Sequence, residues 1–492
     1  MIKVFNTMTL IDDYGDLDEV ERRKLEHALS VFDKNIFSVT FKAYRIFTSK
    51  KTGKECIVIP RSYPMKWLQQ KFPEEEVVYS DNRYKNDCIC ENIECLYEPR
   101  DKRQKSALKW LNEKYNWSQK ILSLKPGDGK TYIALKYICD EKRKAFIIVH
   151  NHTILQQWKE RIVELTNIKE DRIALISGSD KFYKIMDECE KYDIYVAIHR
   201  TLFNVLKESE KALENFRKKS GAAIKIIDEA HIEFASITTI DLASHFSDNL
   251  YLTATPERTD YQENKLYNLI LPTYWAFTLG NNKESISESD KYHSCYFINY
   301  DSRCSYADVQ EMVTKYGFSF SKWAEWTIEN NVIQLMTKMF VYYYEKAVTK
   351  AESMGFKKDE LFCAVLFSTL EQCELFEKEI ISLGFKADNI GQFNSLVKKK
   401  DKQSQINKKI IISTEKSFGQ AVDTRLDIMM DFIPYSSSGQ CWQIVGRLRK
   451  DFAGIYYSFH DVSNYKHKDS KEVKIRELKK RVKTIIELNY RG

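Results

Sequence analysis

The stretch Ile121-Leu122-Ser123-Leu124-Lys125-Pro126-Gly127-Asp128-Gly129-Lys130-Thr131, running on into Tyr132–Cys139, decides how this chain is read. A short apolar run, a turn with two glycines and a helical run, in that order, make a strand, a phosphate-binding loop and a helix. Pro126, Gly127, Asp128 and Gly129 form the loop. Its glycines let backbone N–H groups face phosphate oxygens, and the helix N-terminus adds its positive dipole end. Lys130 would reach the outer phosphates of a nucleotide, and the Thr131 hydroxyl would ligate Mg²⁺. The first glycine of the long consensus for such loops is Leu124 here, so a second motif is needed.

The sequence on either side has the same grammar. Apolar runs at 121–124, 145–149, 173–176, 194–198, 224–227 and 250–253 alternate with helical stretches, which predicts a parallel sheet covered by helices. The alternation resumes at 362–367, 409–412, 428–432 and 455–459. Ahead of it, residues 1–97 read as a small α+β module. It has a strand at Met1–Phe5, a helix from Asp18 to Phe32, strand-like runs at 37–47 and 56–59, and a helix around Pro64–Lys71. The expected organisation is an accessory domain at 1–97, an α/β domain at 98–260 and a second α/β domain at 261–492.

Composition narrows the class. The 492 residues are 43% hydrophobic and 30% charged, the balance of a protein with packed cores. No apolar run is long enough to span a bilayer, and the N-terminus lacks a signal-peptide pattern. The eleven cysteines therefore read as reduced thiols in a cytoplasmic protein. With 77 Lys+Arg against 70 Asp+Glu, the net charge of +7 permits a polyanionic partner. Glycine, at 16 residues, is scarce, so those that remain mark places where the backbone needs them.

The second motif is Ile224-Lys225-Ile226-Ile227 ending in Asp228-Glu229-Ala230-His231. A carboxylate at the C-terminal end of a strand can hold Mg²⁺, and the adjacent Glu229 can polarise an attacking water. Two acids after a lone strand are ordinarily a solvated cap. Placed about a hundred residues after a phosphate loop, they become the other half of a nucleotide site.

From Glu98 onward the chain resembles the superfamily 2 helicases and translocases. Asp228-Glu229-Ala230-His231 matches the DEAH form of motif II, and Thr253-Ala254-Thr255-Pro256 matches motif III. Val149-His150-Asn151 with Leu155 and Gln157-Trp158 is similar to motif Ia. Gln104 resembles the upstream glutamine that reads adenine. Thr414, Gly419 and Asp423 are similar to motif V, and Gln443-Ile444-Val445-Gly446-Arg447-Leu448-Arg449-Lys450 to motif VI. The resemblance implies two tandem RecA-like domains, ATP and Mg²⁺ as cofactors, and Arg447 as the arginine finger, with Arg449 or Lys450 completing the site. It also gives His231, Thr253 and Thr255 a role in coupling hydrolysis to strand movement; Asn151, Thr201 and Thr414 become candidate phosphate contacts. Within the superfamily the layout is most similar to phage branch-migration helicases of the UvsW type and to the poxvirus-type transcript-release DNA helicases. The implied activity is an ATP-dependent DNA helicase or branch-migration motor, acting as a monomer in bacterial or infected-cell cytoplasm. RNA unwinding, transcript release and an ATP-gated clamp are the alternatives.

Three features stay outside that set. Cys88, Cys90 and Cys95, with Cys56, could supply four sulfur ligands, but the spacing is not the usual zinc pair repeated, and free thiols are the plainer reading. Trp158, Trp323, Trp326 and Trp442 read as core. Lys466–Arg491 reads as a basic amphipathic C-terminal helix, with Val473, Leu478, Val482 and Ile485 facing the second domain and its outer face free for phosphates.

Overall fold

The computed structural model describes residues 1–32, 39–73, 75–80, 90, 92–114, 117–124, 128–232, 234–254, 261–278, 294–314, 317–397, 401–419, 426–435, 441, 444–445, 448, 454–479, 482 and 484–490. The chain forms two compact units, residues 1–279 and 280–492.

Unit one holds a seven-stranded sheet. Its strands are β1 (Gln119–Ser123), β2 (Ala145–Val149), β3 (Ile173–Ile176), β4 (Ile194–Ile198), β5 (Ile224–Ile227), β6 (Asp248–Thr253) and β7 (Ala276–Thr278). The spatial order is β3-β4-β2-β5-β6-β1-β7, and every pairing is parallel. β2 and β5 are wholly buried, as strands covered by helices on both faces must be. Even Lys225 in β5 has no exposure; its ammonium meets the Asp241 carboxylate. Lys120 in β1 is likewise buried against Asp248, 2.7 Å away. β7 carries this sheet past residue 260.

The N-terminal module is a five-stranded mixed sheet, ordered Arg45–Thr48, Glu55–Pro60, Met8–Ile11, Ile2–Val4, Val77–Tyr79. Its helix Glu19–Ala28 begins at the Asp18 cap, which accepts the Glu21 N–H at 2.8 Å. That helix stops short of the expected Phe32, because Ser30–Phe32 turns into a strand paired with Val39–Lys42. The module shares one continuous apolar core with the large sheet, running from Ile2, Ile57 and Leu68 to Phe146, Phe216 and Tyr251. Asn6 donates to the Phe246 carbonyl at 2.8 Å, Thr7 to the Asp241 carbonyl at 2.8 Å and Ser62 to the Ile270 carbonyl at 3.0 Å.

Unit two holds β8 (Ser294–Tyr300), β9 (Cys363–Phe367), β10 (Ile390–Phe393), β11 (Ile410–Thr414), β12 (Ile428–Asp431), β13 (Ile455–Asp461) and β14 (Thr484–Asn489). The order is β10-β11-β9-β12-β13-β8-β14, again all parallel. Numbered within each unit, both sheets follow 3-4-2-5-6-1-7, so one topology occurs twice. The fold is thus a tandem of parallel α/β domains of RecA-like form with a small mixed-sheet domain in front.

The basic tail departs from expectation. Its helix covers Tyr465–Lys479 only, and Thr484–Asn489 forms the edge strand β14 against β8. The run Thr-Ile-Ile-Glu-Leu-Asn is rich in β-branched residues, and β8 offers it an edge to pair with. The helix is anchored by polar groups as well as apolar ones: Lys474, His467 and Ser470 have no exposure. Among the described residues no helix is long and apolar enough to cross a membrane.

Candidate active site

Parallel strands place all their C-terminal ends on one edge, so β1, β6 and β5, which are neighbours, deliver three loops side by side. β1 leads to the phosphate loop, of which Pro126 and Gly127 lie outside the described residues. Asp128, Gly129 and the helix Lys130–Glu141 are described. Gly129 caps that helix with φ +86°, a left-handed backbone that favours glycine, and any Cβ there would collide with the Gln104 amide.

Lys130 reaches back to the end of β1. Its ammonium donates to the Leu124 carbonyl at 3.1 Å and lies 3.8 Å from Glu229 Oε1. Thr131 sits half-buried in the first turn of the same helix. Gln104, only 3% exposed, accepts the Arg100 N–H at 2.9 Å and donates to the Asp128 carbonyl at 3.4 Å, tying the upstream helix Lys102–Glu113 to the loop. The arginine on the loop is Arg103, whose guanidinium meets the buried Asp128 carboxylate at 3.0 Å. The sequence motif marks Gln104 here and carries no signal for Arg103, whose partner lies 25 residues away.

β5 delivers motif II. The Ala230 N–H donates to the Leu252 carbonyl of β6 at 2.8 Å, and Glu229 takes φ +48°. A non-glycine residue in that region costs about 1 kcal/mol, a strain concentrated where function fixes a turn. The Asp228 carboxylate accepts two neutral donors: the Glu229 N–H on Oδ1 at 3.0 Å and the Trp158 indole N–H on Oδ2 at 2.8 Å. Burial, then the adjacent Glu229 charge, pushes its pKa up to about 6. The oxygen donors of Asp228 and Thr131 suit a hard cation such as Mg²⁺, whose charge would return that carboxyl to its ionised form.

His231 links the next strand. Its Nδ1 lies 3.0 Å from the Thr253 hydroxyl at the end of β6 and 3.3 Å from Glu229 Oε2. Thr253 in turn gives its carbonyl to the Leu124 N–H at 3.1 Å, so motifs I, II and III form one hydrogen-bonded set. Thr255 lies outside the described residues.

Other sequence candidates are placed elsewhere. Asn151 caps the helix His152–Leu165, accepting the Ile154 N–H at 2.9 Å. Thr201 is buried, and its hydroxyl accepts the Gly178 N–H at 2.9 Å. In unit two Thr414 ends β11, its hydroxyl donating to Ser417 at 3.1 Å, and Gly419 ends the short helix Glu415–Gly419. Asp423, Gln443, Arg447, Arg449 and Lys450 lie outside the described residues. Their neighbours Ile444, Val445 and Leu448 are buried in the unit-two core. Cys56 donates to the Asp12 carbonyl within the N-terminal module, whereas Cys90 packs against the large sheet with its thiol 3.6 Å from Asp193. Cys88 lies outside the described residues, and among those described no cluster of metal-ligating side chains stands out.

Comparison with known proteins gives the same picture. A family model described as "Type III restriction enzyme, res subunit" matches residues 96–258. The DNA 3'-5' helicase XPB of Kineococcus radiotolerans is 26% identical over 158 residues, which is 32% of this chain and 27% of the relative. The transcript termination protein A18 of Yaba monkey tumor virus is 25% identical over 343 residues, 66% of this chain and 64% of the viral protein. The matches therefore span less than two thirds of either relative's length. Among solved structures, S. cerevisiae Dbp5 bound to RNA and ADP BeF3 superposes with a TM-score of 0.53 at 12% identity, covering 79% of this chain and 89% of that one. At that identity the likeness is one of fold. Fold, motif order and these likenesses together make the chain similar to the superfamily 2 helicases.

Proposed function

We propose that the chain is an ATP-driven, Mg²⁺-dependent DNA motor, a nucleic-acid-dependent ATPase that translocates on or unwinds DNA. The observation that carries this reading is the meeting of Lys130, Asp228, Glu229 and the His231–Thr253 pair at the common C-terminal edge of β1, β5 and β6. Mg²⁺, when bound, would neutralise charge between the outer phosphates. Asp228 and Thr131 would hold it. The loop from Pro126 to Gly129 would cradle the phosphates, and Lys130 would swing from the Leu124 carbonyl and Glu229 to the γ-phosphate. Glu229, once released, would accept hydrogen bonding from the attacking water and orient it. Gln104 would report on the base through the loop it braces. As the resemblance implies, Arg447, Gln443 and Lys450 of motif VI would stabilise charge on the transferred phosphoryl group, and Gly419 and Asp423 of motif V would take part in nucleotide binding.

His231 would then pass the state of Glu229 to Thr253 and Thr255, and Asn151, Thr201 and Thr414 would meet nucleic acid by small polar contacts. DNA is favoured because the XPB relatives are named as DNA helicases. Branched DNA is the proposed substrate, since the accessory module is built into the same core as the first motor sheet and would present a second grip beside the track. A second reading, transcript release, is favoured by the long match to the viral transcript termination protein. Either way the enzyme would work as a monomer in bacterial or infected-cell cytoplasm.

The test is the steady-state ATPase rate with Mg²⁺ alone, with single-stranded DNA, with branched DNA and with RNA of matched length, Lys130→Ala serving as the blank. Highest stimulation by branched DNA is the expected result. RNA as the best activator moves the reading to transcripts, and no activation by any polymer sinks the motor.

A further inference from the structure

We infer that Trp158 is a positioning residue for the metal-holding carboxylate of Asp228. The bond is the 2.8 Å contact from the indole Nε1–H to Oδ2. The other donor to this carboxylate, the Glu229 N–H on Oδ1, belongs to the same turn and moves with it. Trp158 comes from a different element, the helix His152–Leu165, and its ring is only 1% exposed. It belongs to the same buried apolar cluster as Ile147, Ile154, Ile162 and Val196. The carboxylate plane is thus fixed between a backbone N–H on one oxygen and an immobile indole on the other. A buried indole N–H needs an acceptor, and a core tryptophan would be satisfied by a backbone carbonyl. Here the acceptor is the acid of motif II itself.

A fixed carboxylate matters because a small divalent cation tolerates little error in ligand placement, and partners that orient metal ligands are typically worth about 10- to 100-fold in metal affinity or activity. Losing the indole donor would let the Asp228 carboxylate rotate about its last bond. The protein would then need more Mg²⁺ to bind nucleotide, with its Mg²⁺-free affinity unchanged.

The inference rests on the proposed ATP site, and the experiment separates the two. Binding of a fluorescent ADP analogue to the full chain is titrated with Mg²⁺ for wild type, Trp158→Phe and Asp228→Asn. A fourth protein carries benzothienylalanine at 158, which keeps the shape of the ring and lacks the N–H, so that folding is preserved if Trp158→Phe is damaged. The half-saturating Mg²⁺ concentration is expected to rise at least about 10-fold in both 158 variants. Affinity in EDTA should be unchanged, and no further rise should follow when either is combined with Asp228→Asn. A benzothienylalanine protein with wild-type Mg²⁺ dependence overturns the inference and leaves Trp158 as core filling. Wild-type Mg²⁺ dependence in Asp228→Asn overturns the site reading and the inference with it.

Discussion

Lys474→Met should destabilise the second unit by roughly 3–5 kcal/mol without changing how the protein binds nucleic acid. Lys474 lies in the basic tail, where sequence alone offers it to phosphates, yet neither it nor its partner Asp431 has any exposed side chain. Its ammonium meets Asp431 Oδ2 at 2.9 Å, the Ile433 carbonyl at 2.7 Å and the Ser458 hydroxyl at 3.1 Å, and sits 3.9 Å from the Tyr435 ring centroid. Asp431 also accepts the Tyr456 hydroxyl at 2.6 Å and the Ile433 N–H at 2.9 Å. Methionine keeps most of the methylene bulk, so the loss is chiefly that of an ion whose counter-charge has gone. Lys474→Ala also removes three buried methylenes, which costs about 2 kcal/mol more. Replacing both charges, Lys474→Met with Asp431→Asn, should recover most of the loss, because breaking a buried pair costs more than removing it. The assay is hydrogen exchange across a urea series, read on peptides from 426–435 and 465–479, beside DNA affinity measured against salt. A loss below about 1 kcal/mol, with the salt slope reduced by about one, would refute the buried reading and return Lys474 to the phosphate track.

The site makes sharper demands on activity. Glu229→Gln should retain ATP binding and lose about 10²-fold or more in turnover, and Arg447→Ala should lower kcat far more than nucleotide affinity; near-normal ATPase in either removes its assigned role. Gly129→Ala should cost nucleotide affinity outright. A left-handed position there is unfavourable by about 1–2 kcal/mol for any L side chain, and its Cβ would displace Gln104; a fluorescent-nucleotide titration with unchanged affinity would dismiss the Gln104 brace. Acid should unfold the second unit early. Burial, then the Lys474 charge, pushes the His467 pKa down to about 3, and burial holds His460 well below its ordinary value as well. The unfolded chain takes up these protons first, so stability is full above pH about 6.5 and falls below it by up to about 1.4 kcal/mol per unit for each histidine. His467→Leu should halve that slope in thermal melts between pH 6.5 and 5; an unchanged slope would place the acid sensitivity elsewhere.

What was legible in the chain follows from how each feature is encoded. Ala145–Val149 and Ile194–Ile198 are unbroken apolar runs of strand length, and Ile224–Ile227 is one broken only by Lys225; a fully buried parallel strand needs little other signature. Ser294–Tyr300 and Ala276–Thr278 carry polar residues and little period; they become strands only because β13 and β1 offer edges to pair with. The chemistry of motifs I and II is local in sequence and could be read there. The Arg103–Asp128 and Trp158–Asp228 contacts join residues 25 and 70 positions apart, and only the folded sheet brings them together. The doubled topology was invisible for a related reason. Strand order is a property of pairing, and the two units keep the same order with different residues.

That shared order makes the two fifth strands comparable. β5 runs into Asp228 and β12 ends on Asp431, so each unit sets an acid at the C-terminal end of the same strand, deep among helices. Such an acid must be neutralised, hydrogen-bonded or protonated. Unit two answers with a cation of its own, Lys474, and caps the remaining oxygen with Tyr456 and a backbone N–H, which makes the position a fixed part of the core. Among the described residues, the donors to Asp228 in unit one are the neutral indole and a backbone N–H, and burial with the adjacent Glu229 charge, outweighing Lys130, raises the carboxyl to about 6. The same place in one topology is therefore closed by lysine in one unit, and in the other, under the proposed function, would be open to an exchangeable cation. On the proposed reading that difference, and not the sheet itself, would place the chemistry in the first unit.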